Sequence, residues 1–89
     1  MPSFVLVRHN VRDFSQWKPI YDADGPNRIA AGLTDRHLLR GASDSNEVVL
    51  LFEAADLGRA KAFVDSPDLR ETMQHGGVLG KPDIYFLES

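Results

Sequence analysis

Apolar residues in this chain fall into four short runs with the rhythm of strands and two longer stretches with the rhythm of helices. Phe4–Val11 opens with four apolar residues in succession and turns polar at Arg8, His9 and Asn10. A run that is apolar on both sides suits a central strand. Arg36–Ala42 and Glu47–Glu53, whose alternating or apolar runs start at His37 and Val48, flank Ser43-Asp44-Ser45-Asn46, a polar four-residue link of the kind that joins a β-hairpin. Ile84–Leu87 gives the last strand, entered through a turn at Gly80-Lys81-Pro82. In the first helical stretch Asp13 stands three residues before Gln16, a capping-box spacing, and Phe14, Trp17, Tyr21, Ile29 and Leu33 make one apolar stripe. Pro19 removes a helical hydrogen bond and Gly25-Pro26 interrupts the pattern. Two joined pieces over 14–24 and 26–31 follow, with Gly32 as the stop. The second stretch starts after Asp56, buries Leu57, Ala60, Phe63 and Val64, and restarts at Ser66-Pro67. Leu69 and Met73 then carry its stripe to Gly76-Gly77.

The resulting order is βαββαβ, a ferredoxin-like α+β fold with a four-stranded antiparallel sheet in one domain over residues 1–89. Its helices cover only one face of the sheet. A second copy of the chain is the simplest cover for the other, so a homodimer is expected. Strand alternation sorts the polar groups once a register is chosen. With Ala42 opposite Glu47, His37, Leu39 and Gly41 share a face with Val48, Leu50 and Phe52, while Leu38 and Arg40 join Val49, Leu51 and Glu53. With Leu6 opposite Leu50, Phe4, Leu6 and Arg8 fall beside His37, and Val5, Val7 and His9 beside Arg40. A one-residue slip exchanges these sets.

Composition narrows the chemistry. The chain has no cysteine, which excludes disulfides, thiolate nucleophiles and cysteine metal sites. Ten basic and thirteen acidic residues give a net charge of −3, with both signs scattered, which argues against nucleic acid and anionic membrane as partners. No apolar run approaches the ~20 residues of a membrane span. Met1-Pro2-Ser3-Phe4-Val5 lacks the basic flank and apolar stretch of a signal peptide, so a cytoplasmic location is expected. His9, His37 and His75 show no H-x-x-x-H or H-E-x-x-H spacing, and the glycines after the second helix are in the wrong context for a phosphate loop. No metal, flavin or nicotinamide cofactor is expected.

Several short patterns together resemble the dimeric α+β-barrel superfamily, especially small relatives of the antibiotic-biosynthesis monooxygenase (ABM-like) domain. They are Val7-Arg8-His9-Asn10-Val11 with Asp13…Trp17, Arg28…Gly32, and Asn46-Glu47-Val48-Val49. Ser66-Pro67-Asp68-Leu69…Met73 and Gly77-Val78…Gly80-Lys81-Pro82 complete the set, which spans nearly the whole chain. The resemblance implies a homodimer whose sheets face each other, with ligand pockets between sheet and helices. Members include cofactor-independent oxygenases, haem-degrading enzymes, isomerases and proteins with no known reaction. The oxygenases use an asparagine–tryptophan pair with an arginine or tyrosine around a polyphenol-like substrate. Trp17 is the only tryptophan here and has no asparagine that aligns with that pair, so no catalytic role carries over.

The residues themselves offer candidates, each beside a plainer reading. His9 ends a strand near the first helix, where a proton-transfer group at a pocket rim or a hydrogen-bonded structural histidine both fit. Arg40, like Arg8, suits an anion stabiliser, or an ion pair with Glu47, Glu53 or Asp83 across an interface. Trp17 and Tyr21, one turn apart, with Phe52 and His37 are candidate ligand-binding residues, and stripe aromatics are also ordinary core. Two functions follow. One is a cofactor-independent monooxygenase or isomerase-like enzyme acting on a small aromatic or acidic compound, with a pocket between sheet and first helix bordered by His9, Trp17 and Tyr21. The alternative is a non-catalytic ligand-binding or dimerisation module.

Overall fold

The first strand is the middle of the sheet. In the computed structural model, which describes residues 2–89, β1 (Ser3–Val11) pairs antiparallel with β3 (Glu47–Ala54) on one side and β4 (Val78–Glu88) on the other. β2 (Leu33–Arg40) lies outside β3, giving the order β2-β3-β1-β4. Met1, where the reading of the N-terminal segment begins, lies outside the described residues. This is the expected ferredoxin-like α+β arrangement. Each crossover is a broken helix: α1 (Phe14–Ala23) with α2 (Gly25–Ala30), and α3 (Leu57–Val64) with α4 (Pro67–His75).

Local chemistry sets these boundaries. The Asp13 carboxylate accepts the Ser15 amide at 2.9 Å to start α1, and Asp56 accepts the amides of Gly58 and Arg59 to start α3. Ser66 caps α4 through the Leu69 amide, with Pro67 in the first turn where no donor is lost. Gly32 and Gly77, at φ of 81° and 82°, turn the chain out of α2 and α4 in a conformation that penalises any side chain. Pro19 sits inside α1 without ending it; the break falls at Asp24.

One buried cluster joins Val5, Val7 and Val11 of β1 to Val48, Leu50 and Phe52 of β3, with Trp17 from α1 and Ala60 from α3. Both helix pairs therefore pack on a single face. Ile29, expected on the stripe, is instead 74% exposed, and Arg28 is buried in its place. The helical phase restarts at Gly25, so α2 does not continue the stripe of α1.

The register corrects the face assignment of β3. Leu50 faces Val7 rather than Leu6, and Arg40 faces Val48, which puts Gly41 rather than Ala42 opposite Glu47. Each is a slip of one residue, and the two cancel between β1 and β2. His9 does share a face with Arg40 and does lie opposite to His37. It is Val48, Leu50 and Phe52 that change sides, joining Val5, Val7 and His9 under the helices. Two bulges also escape the pattern. One, between Asp35 and His37, lets β2 begin at Leu33 with Asp35 opposite Phe52. The other absorbs Gly80-Lys81-Pro82, expected as a turn, into an eleven-residue β4.

Candidate functional site

The helix-covered face holds a partly open cavity of about 60 Å³. Its floor is Val5, Val7 and His9 of β1 with Leu50 and Phe52 of β3, one wall is Trp17, Ile20 and Tyr21 of α1, and α3 and α4 add Phe63, Leu69 and Met73. The cavity thus lies between the sheet and both helix pairs rather than under the first helix alone, with His9, Trp17 and Tyr21 on its border. An apolar cavity of roughly 150 Å³ accepts a benzene ring, so this space takes an aromatic ligand only if a wall side chain moves.

His9 is the one buried group here that lacks a partner. Only 3% of its surface is exposed, and its Nδ1 makes no hydrogen bond among the described residues. It is also the β1 residue skipped by the ladder to β4, where the register shifts between Arg8 and Asn10. Burial lowers its pKa most; an interaction of the ring with its own backbone opposes this, and the neighbouring Arg8 charge adds to the lowering, so the imidazole is neutral at pH 7 and keeps an acceptor nitrogen. Its ring stands edge-on to Trp17 at 5.7 Å between centroids, and Trp17 stacks on Tyr21 at 4.8 Å.

The series continues to Arg28, whose guanidinium lies 3.7 Å from the Tyr21 ring centre. Arg28 Nη1 donates to the Tyr21 carbonyl at 2.7 Å. Its contacts to Asp35, at 3.4 and 3.5 Å, are long for a charged pair. The Tyr21 hydroxyl donates to the same carboxylate at 3.1 Å. Burial, followed by the Asp35 charge, pushes the Tyr21 phenol well up, with Arg28 opposing, so Tyr21 is a donor and not a phenolate. Arg28 and Leu33 also line an open cleft of about 450 Å³ on the far side.

The other expected site residues lie elsewhere. Phe52 is on the floor, but His37 is exposed on the opposite face because β2 alternates away from the helices there. Arg40 is on the helix-covered face yet does not line the cavity. It stacks on Phe14 at 3.8 Å and donates to the Ser45 carbonyl at 2.8 Å, bracing the hairpin. Arg8 pairs within its own chain, with Glu47 at 2.7 Å and Asp83 at 3.4 Å. Arg28 enters the sequence reading only through the Arg28…Gly32 pattern of the family resemblance, and not as a site residue. Nothing in its spacing from Tyr21, across a helix break, marks it as buried. Among the described residues no three His, Cys, Asp or Glu side chains come together to hold a metal, and no helix is long and apolar enough to cross a membrane.

This broken-helix ferredoxin-like domain has the fold of solved antibiotic-biosynthesis monooxygenase (ABM) domains. Among solved structures, a Bordetella bronchiseptica protein described as an antibiotic-biosynthesis monooxygenase superposes with a TM-score of 0.77 at 12% identity, over 100% of this chain and 98% of that one. A Caulobacter crescentus protein of the same description gives 0.75 at 14%, over 99% and 89%. SnoaB, a cofactor-independent oxygenase from Streptomyces nogalater, gives 0.76 at 11%, over 99% and 92%. No family model and no curated protein matches the sequence. At such identities the likeness is one of fold.

Proposed function

We propose that the cavity receives a small hydroxyaromatic compound and that His9 accepts a proton from it, in a cofactor-independent monooxygenase or isomerase-like reaction. The observation that carries this reading is a neutral, buried His9 with an unpartnered Nδ1 in the lining of a mostly apolar cavity. A bound hydroxyl or an acidic C–H supplies the missing partner. In an isomerisation the same proton returns to a different carbon of the ligand. In an oxygenation the ligand anion gives its electrons to O₂. An activated methylene becomes a carbonyl with one oxygen atom, and the other leaves as water with the two methylene hydrogens. The oxygenase fold of SnoaB supports the second form.

A non-catalytic binding module is the second reading, favoured by a cavity as small as about 60 Å³. Titration with small phenols, followed by Trp17 fluorescence and dissolved oxygen, separates the two. Saturable quenching that His9→Ala weakens more than His75→Ala, with oxygen uptake or ligand rearrangement, supports the enzyme. Quenching without turnover supports the module. No fluorescence response to any phenol refutes both.

A second copy of the chain completes the fold in this reading. The open sheet face carries Leu39, Tyr85 and Leu87 exposed, beside half-buried Leu6, Val49 and Leu51. An interface of ~1,600 Å² is the usual size for a stable complex and is within reach of this face.

A further inference from the structure

Arg28 is out of keeping with its surroundings. Its side chain is 92% buried, yet of its five N–H donors only Nη1 has a short bond, to the Tyr21 carbonyl. Among the described residues the only carboxylate paired with it, Asp35, is about half exposed and stands off at 3.4 and 3.5 Å, well beyond the 2.7–2.9 Å usual for such pairs. The guanidinium is fixed by the Tyr21 ring and carbonyl while its carboxylate partner is the weak contact, so a closer anion can replace that partner. Its position gives that anion a direction of approach, because Arg28 and Leu33 form the partition between the inner cavity and the outer cleft of about 450 Å³.

Resting on the reading of the cavity given above, we propose that Arg28 selects ligands bearing a carboxylate. The carboxylate comes through the outer cleft and replaces Asp35 on the guanidinium, while the aromatic ring behind it lies along Tyr21 and Trp17 towards His9. Movement of the long Arg28 side chain joins the two spaces and removes the size limit that the inner cavity alone imposes. The order of groups along the wall then specifies the ligand: a flat aromatic acid with its anion at one end and a hydroxyl or acidic C–H at the other. A purely apolar arene satisfies neither end. Asp35 acts as a placeholder that keeps Arg28 paired while the site is empty.

Matched ligands test this directly. Trp17 fluorescence is titrated with 4-hydroxybenzoate and with 4-methylphenol, which differ only in the carboxylate. The wild-type protein is expected to bind the acid at least tenfold more tightly, and Arg28→Gln to collapse that ratio to near one. Asp35→Asn, at a half-exposed position, removes the competing anion without opening the core and is expected to raise the ratio several-fold. It keeps the test decisive if Arg28→Gln does not fold. Equal wild-type affinities, or a ratio untouched by Asp35→Asn, overturn the role of Arg28 and leave the His9 reading standing. Failure of both compounds to bind the wild-type protein overturns both.

Discussion

Replacing His9 by leucine should make the protein more stable and less functional. An unsatisfied buried polar atom costs about 1–3 kcal/mol, and Nδ1 of His9 is such an atom. The substitution also gives up the edge-on contact with Trp17, worth about 0.5–1.5 kcal/mol, and adds apolar burial that offsets part of that loss. The adjoining space of about 60 Å³ accepts the branched side chain without strain. The balance is a gain of about 1 kcal/mol, which for a domain of this size raises Tm by about 4–8 °C. The pH dependence carries a second signature. The folded-state pKa of His9 is below its ordinary 6.5, so between 6.5 and the folded value the unfolded chain binds more protons. Stability from the neutral imidazole is therefore complete above pH 6.5 and falls as pH drops through that window, by at most about 1.4 kcal/mol per unit. Urea unfolding of wild type and His9→Leu from pH 4.5 to 8 reads both effects. A variant less stable than wild type at pH 8, or one that keeps the wild-type slope below pH 6.5, refutes the claim that His9 is an unpartnered neutral group.

Sedimentation at micromolar concentration should show a species of twice the chain mass, and Tyr85→Lys on the open sheet face should shift it towards monomer without altering the circular-dichroism spectrum. Val5→Ala, at a residue with no exposed surface beneath the helices, should lower the urea-derived stability by about 2 kcal/mol, and a loss under 0.5 kcal/mol would mean that the core is not where the cavity lies. Asp56→Ala removes the carboxylate that holds the Gly58 and Arg59 amides and should cost about 1 kcal/mol, read as a lower Tm.

The fold was legible because its signals are local. Asp13, Asp56 and Ser66 announce helix starts through side-chain acceptors, Gly32 and Gly77 announce stops, and the unbroken apolar run of the first strand marks it as the central one. The site was half legible for the same reason. His9, Trp17 and Tyr21 are placed by the end of one strand and the first turns of the next helix, so sequence spacing brings them together. Arg28 was not, because its burial depends on a break at Asp24 that rotates α2 relative to α1, and on a bulge that sends Asp35 under the helices. The faces of β3 were misassigned because register depends on where two loops close, and neither loop carries a turn signal strong enough to choose between adjacent residues.

The central place of β1 has a consequence for how the chain is born. Its ladder to β4 joins Arg8 to Asp83 across 75 positions, so one side of β1 has no partner until the last strand has been synthesised. At a translation rate of about 5–20 residues per second, that side stays open for roughly 4–15 s. During this interval the nascent chain presents Phe4, Val5, Leu6 and Val7 along an unpaired strand edge, the kind of surface that recruits other strands. Early pairing with β3 covers one side only. That exposure lasts for most of the time the chain takes to be made.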